Sequence, residues 1–213
     1  VAAGAGGQLP AAVRQGPRLV LVLSENWTIT SPRDLPALVE LAVVAEESGF
    51  DLVMVSEHVV LGPSAGAAGV MANPRAYAMP GNQDPATPWP SSIVLLSAIA
   101  AATTRIRLGA IALLAPLRHP LVVAKELATL DLLARGRLVV QPTVSWHRDE
   151  YAALGVPFGE RGARLDEQLD VWDEVATARR EDRPARHDGR FWAFGDTFVS
   201  PGAWRPDGVR MWF

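Results

Sequence analysis

Two hydrophobic periods exchange repeatedly along this chain, and no other sequence feature narrows its possible folds as much. Short apolar runs rich in β-branched residues alternate with segments whose apolar positions recur at helical spacing. The run from Arg18 to Leu23 predicts a strand buried on both faces. Ser31, Pro32, Arg33 and Asp34 then announce a helix, with Ser31 as its cap, Pro32 in its first turn and Asp34 at the positive end of its dipole. Leu35, Leu38, Val39, Ala42 and Ala45 form its apolar stripe, and Gly49 ends it. A second buried strand follows from Asp51 to Val55. Strand, helix and strand joined this tightly form a βαβ unit, which implies parallel pairing.

The alternation continues after residue 90. Ser91 opens a helix to Ala101, a strand runs from Ile106 to Leu114, and Pro120 starts another helix. Arg137 to Val140 is a fourth strand, His147 to Leu154 a short helix, and Leu165, Leu169, Trp172 and Ala176 mark a longer one. His187 to Val199 reads as a hairpin turning at Gly189, and Val209 to Phe213 as the start of a fifth strand. Four complete βα units and part of a fifth fit an α/β fold, either a doubly wound sheet or a barrel; periodicity alone fits both.

The stretch 56–90 breaks the rhythm with Gly62-Pro63, Asn73-Pro74, Pro80-Gly81 and Asp84-Pro85. A loop this long within a compact domain is usually functional. It leaves the C-terminal end of a strand, the end where barrel active sites are built. Asn73, Tyr77, Asn82 and Trp89 are its candidates for facing a substrate.

Several chemistries are argued against directly. The chain has no cysteine, so no disulfide, thiolate metal site or cysteine nucleophile is available within it. Its net charge of −3 gives no basic field for nucleic acid. No apolar run reaches the roughly 18 residues of a membrane span. Residues 1–17 lack the charged start and apolar stretch of a signal peptide and are expected to form a flexible tail, with a cytoplasmic location as the default. Ser24-Glu25-Asn26-Trp27 stands after the first strand where a dinucleotide-binding turn would carry glycines. No H-x-x-x-H-type metal spacing and no nucleophile elbow occurs, and no metal is expected.

Polar groups gather after four successive strands: Asn26, His58, His119 and His147. His58 suits acid–base work, because an unperturbed imidazole titrates near neutrality. Its neighbour Glu57, with Asn26 and Trp27, is placed at the substrate pocket. Arg118-His119-Pro120 is read first as a turn fixed by proline, second as an anion site. Trp146 can stack on a planar ring, Glu150 has no evident partner, and His187 is assigned to the surface. A hydrolase or an isomerase fits such a site as well as a redox enzyme does.

Several strings then carry a family resemblance. Glu46 to His58 resembles the helix 1 to strand 2 signature of luciferase-like monooxygenases. Ala101 to Gly109, Ala115 to Pro120, Ala124 to Asp131, Gly136 to Leu138, Trp146 to Tyr151, Leu154 to Phe158 and Phe191 to Phe194 continue the likeness in order. It covers residues 18–213, and the coenzyme F420-dependent subgroup is the most similar. The resemblance implies a (β/α)8 TIM barrel, of which this chain supplies about strands 1–5 as an incomplete N-terminal portion. It implies a homodimer binding coenzyme F420, or alternatively FMN, at the C-terminal mouth. Hydride transfer, or oxygen activation, on a small organic substrate is the expected activity. A non-catalytic flavin-binding protein or a shortened barrel serving as a dimerisation partner is the alternative.

By the same resemblance His58 lies near the reactive face of the ring. Ile111 and Ala112 match a strand-3 bulge, often with a non-proline cis peptide, that backs the ring. Trp146 stands where some deazaflavin enzymes carry an acidic catalytic residue. Gln141 to Ser145 replaces a glycine-rich G-x-G-x-G stretch, so Gln141 and Ser145 are expected to offer side-chain contacts to the cofactor instead.

Overall fold

The computed structural model describes residues 17–23, 29–31, 33–68 and 83–213. Asn26, Trp27, Asn73, Tyr77, Asn82 and the expected tail before residue 17 lie outside the described residues, so the expectations for them are not addressed by the fold.

A five-stranded parallel sheet in the order β1-β2-β3-β4-β7 organises the chain. Its strands are β1 (Val20–Val22), β2 (Leu52–Val55), β3 (Arg107–Leu114), β4 (Leu138–Thr143) and β7 (Arg210–Met211). Helices α1 (Leu35–Glu47), α2 (Ser92–Ala102), α3 (Pro120–Leu133), α4 (Arg148–Ala153) and α5 (Arg161–Arg180) join them, and β5 (Ala185–Asp188) and β6 (Ala193–Thr197) form an antiparallel hairpin. The fold is α/β of the type expected, with consecutive parallel strands and helical crossovers.

The register explains the apolar runs. Val53, Leu108 and Leu138 lie on one face of the sheet, and Met54, Gly109 and Val139 on the other. The first face packs against Leu38 and Ala42 of α1, Leu96 and Ile99 of α2, Leu127 of α3 and Val171 of α5 in one continuous core. Trp172 joins it and donates its indole N–H to the Pro120 carbonyl at 3.0 Å. The strand β1 departs from expectation. Val20 is 44% exposed, because among the described residues β1 pairs with β2 alone and lies at the sheet edge.

The start of α1 also differs. Asp34 is the N-cap, its Oδ1 accepting from the Ala37 N–H at 3.1 Å, and Pro36 occupies the first turn. Ser31 instead shapes the preceding turn, accepting from Arg33 N. At the other end Gly49 takes φ 82°, and Phe50 N donates back to Ala45 O at 3.0 Å, a helix stop that favours glycine.

Two polar clusters fasten the N-terminal end of the sheet. The Glu46 carboxylate accepts the N–H groups of Thr104, Arg105 and Ile106. The Arg137 guanidinium donates to Ala134 O, Ala100 O, Thr103 O, Ile106 O and Thr103 Oγ1. Much of the family-like sequence at residues 101–109 and 136–138 is therefore scaffold, far from the opposite end where the loops gather. His187 is likewise part of the scaffold rather than a bare surface group: it stacks on Phe194 and meets Glu167 at 3.3 Å.

Candidate active site

Strands β2 and β4 end at the same edge of the sheet, and the segments that leave them bring together residues far apart in sequence. His58 follows β2, Trp89 precedes α2, and Trp146 and His147 lead from β4 into α4. The His58 ring meets Trp89 edge-on at 5.1 Å, Trp146 at 5.7 Å and His147 at 6.4 Å between centroids. Trp146 also packs on His147 at 4.9 Å. His58 and Trp146, both candidate site residues on the sequence, are thus brought together.

The segment after β2 is latched by α4. His147 Nε2 accepts from Gly62 N at 2.7 Å. Asp149 Oδ2 accepts from the Ser64 hydroxyl at 2.7 Å and from its N–H at 3.1 Å. Glu150 Oε1 accepts from Val59 N at 2.6 Å and Val60 N at 3.3 Å, while Oε2 lies 3.4 Å from His58 Nδ1. Gly62 is required here, since a Cβ at that position would fall within 2.4 Å of the Asp149 side chain. Burial pushes the Glu150 carboxyl upward, but hydrogen bonds from His58, Ser145 and Val59 outweigh it and hold the group below its ordinary value.

His147 is buried, and burial lowers its pKa, opposed in part by the charges of Asp149 and Glu150. Because Nε2 accepts from Gly62, the proton of the neutral ring sits on Nδ1, which has no partner among the described residues. Unfolded His147 takes up a proton near the ordinary imidazole value of 6.5, while the folded ring resists it to lower pH. The unfolded state thus binds more protons between those two values, so stability is full above about 6.5 and declines as pH falls through the folded pKa. Urea midpoints measured from pH 7.5 to 5 should fall on acidification. The fall should be smaller in His147→Gln, whose amide oxygen can accept from Gly62 without titrating; equal slopes in the two proteins would refute the assignment.

Glu57 does not line the pocket as expected. Its side chain is 1% exposed, and both oxygens are engaged within the protein. Oε1 accepts from Leu114 N at 2.9 Å and Arg118 Nη1 at 2.7 Å, and Oε2 from Ser92 Oγ at 2.6 Å and Arg118 Nη2 at 3.1 Å. The forked pair joins the exits of β2 and β3 to the start of α2. Arg118 is therefore committed to Glu57, and His119 is exposed and caps α3 by accepting from Leu121 N. Neither forms the anion site that was the second reading of that turn.

Ser145 is also turned inward. It is 1% exposed, its Oγ accepts from His147 N at 3.1 Å, and its own N–H donates to the Tyr151 hydroxyl. The side-chain contact to a cofactor expected of it is replaced by this local role at the start of α4. Gln141 remains half-buried, in register with Ile111. The pairing of β3 with β4 shifts between Ile111 and Leu113, the bulge expected there, and the Ile111–Ala112 peptide is cis. Pro142, which cannot donate to a ladder, pairs with Leu113 just past the shift. A separate cavity of about 420 Å³ lies between α3, α5 and residues 199–213. Leu127, Leu169 and Trp172 line it, so it belongs to the helix-covered face rather than to the His58 mouth.

Comparison with known proteins agrees with this arrangement. The family model described as luciferase-like monooxygenase matches residues 18–210. The F420-dependent glucose-6-phosphate dehydrogenase of Beutenbergia cavernae is 37% identical over 181 residues, covering 83% of this chain and 45% of its own. Among solved structures, monooxygenase RslO1 from Streptomyces bottropensis superposes with a TM-score of 0.69 at 25% identity, over 92% of this chain and 52% of that one. The oxygenating constituent of 3,6-diketocamphane monooxygenase from Pseudomonas putida, solved with FMN, has a TM-score of 0.66 at 18% identity, over 91% of this chain and 50% of that one. The chain spans about half the length of these relatives.

Proposed function

This chain belongs to the luciferase-like monooxygenase family, and from that premise we propose that it supplies the ring-facing side of a deazaflavin-dependent oxidoreductase site acting on a small organic molecule. One observation carries the proposal: His58 stands at the strand exits with Nδ1 against a buried carboxylate and two tryptophan edges beside its ring. A positioned imidazole of this kind can take or deliver a proton while the redox chemistry resides elsewhere.

The residues present suit a planar ring. Ile111, Ala112 and Gln141 are half-buried at the bulge, and they would lie against the cofactor. Trp146 would bound it beside His58. The cofactor would supply hydride transfer, and the chain would supply its orientation and the proton-transfer group. Coenzyme F420 is the favoured cofactor, because the Beutenbergia cavernae relative that aligns with most of this chain is an F420-dependent dehydrogenase. FMN is the second reading, favoured by the solved neighbour that carries it.

Titrating the full-length protein with F420 and with FMN, followed by quenching of cofactor fluorescence, tests both. Affinity for F420 at least tenfold above that for FMN, about 1.4 kcal/mol, is expected. The reverse order would move the assignment to FMN, and binding of neither would overturn it.

A further inference from the structure

Glu150 is fully buried, and its surroundings restrict what it can do. One oxygen is taken by two backbone N–H groups, those of Val59 and Val60, and the other lies 3.4 Å from His58 Nδ1. An ionised carboxylate accepts hydrogen bonds and donates none. The nitrogen of His58 that faces it must therefore be the protonated one. His58 Nε2 makes no hydrogen bond to any described residue, and the neighbouring His147 ring is occupied on its own Nε2 by Gly62.

We propose that Glu150 is the positioning residue of His58: it fixes the imidazole as the Nδ1–H tautomer and keeps Nε2 as the proton-accepting nitrogen of the site. The use of that nitrogen in turnover rests on the function proposed above; the tautomer itself does not. The same carboxylate sets ring and loop together. Val59 and Val60 follow His58 directly, so a single buried anion holds both the backbone that leaves β2 and the side chain at its end. A carboxylate behind a histidine in this way sets which nitrogen is free to react, and exchanging it for an amide puts the proton on the wrong one.

Glu150→Gln separates this role from simple packing. The amide oxygen can still accept from Val59 and Val60, and that preference turns the amide NH2 toward His58. The NH2 donates to Nδ1, which then cannot carry the proton, so the Nε2–H tautomer should take over.

The test is nitrogen-15 correlation spectroscopy of the imidazole rings in the full-length protein above pH 7. This sequence contains four histidines, and the signal lost in His58→Gln is assigned to His58. The wild-type protein should show His58 as the Nδ1–H form, and Glu150→Gln should show it inverted to Nε2–H. A wild-type Nε2–H ring, or an unchanged tautomer in Glu150→Gln, would overturn the proposal. Should the variant fail to fold, the wild-type spectrum still tests the proposal, since an Nε2–H ring there overturns it. The readout needs no cofactor and no substrate, so failure of the F420 titration and failure of this assignment are distinguishable.

Discussion

Replacing His58 with alanine is expected to lower turnover by about 10²-fold or more, the usual scale for loss of a positioned acid–base group. Cofactor affinity should change little, because the ring-facing contacts assigned to Ile111, Ala112 and Gln141 come from other strands. The measurement is single-turnover bleaching of the bound cofactor by substrate in the full-length protein, with the dissociation constant determined alongside. Turnover near the wild-type rate would refute the role of His58. A loss expressed only in cofactor affinity would make His58 a packing residue of the pocket. The reason to expect a rate effect is geometric: Glu150 and the two tryptophan edges restrain a ring whose Nε2 bonds to no described residue.

Arg118→Ala should be the more damaging change to the fold. It leaves the Glu57 carboxylate buried with only Leu114 N and the Ser92 hydroxyl to answer it. Removing one partner of a buried ion pair costs about 3–5 kcal/mol, and the 22% exposure of Arg118 places this case near 3 kcal/mol. Urea denaturation should show a lower midpoint with an unchanged slope, since the folded surface is otherwise preserved. A cost below about 1 kcal/mol would mean that the pair is solvated and its surface-like value applies. The result also bears on function. If Glu57 is a tie between strand exits, Arg118→Ala acts through stability; a substrate-facing Glu57 would instead show itself as a changed KM in a fold of ordinary stability.

The elements were legible because each is encoded locally. Leu38, Ala42 and Ala45 recur at helical spacing and are the residues of α1 that are buried. The runs at 52–55 and 107–114 became β2 and β3 because a central parallel strand buried on both faces needs continuous apolar character, as the burial of both Leu52 and Val53 shows. The edges were less legible. The run at Arg18 to Leu23 looks as buried as the others, yet Val20 is exposed, since exposure depends on how many neighbours a strand has and not on its own composition. The end of α1 was marked by Gly49, but its start was set by Asp34 rather than Ser31, because several capping residues stood within one turn and Asp34 is the one that meets an N–H group of the helix itself.

Within the site, His58 was legible from its place directly after a strand. Glu57 occupies the same kind of place and was read the same way, although its partner Arg118 lies 61 residues further on. Glu150 had no visible partner, because His58 is 92 residues away and no local spacing records that distance. One signal was available: an acidic residue four positions after Trp146, on a short helix leaving β4, faces back toward the mouth.

By itself the sequence determined the order and type of the secondary elements, the parallel βα connectivity and the family-like strings, since all of these depend on neighbours within a few turns of chain. The tertiary structure alone decided which partner each buried charge meets. Glu57 and Glu150 are both buried glutamates at strand exits. One meets an arginine fork and becomes a tie; the other meets an imidazole and sets its proton. That difference arises only when strands more than fifty residues apart in sequence are brought side by side, where burial makes each carboxylate's choice of partner decisive.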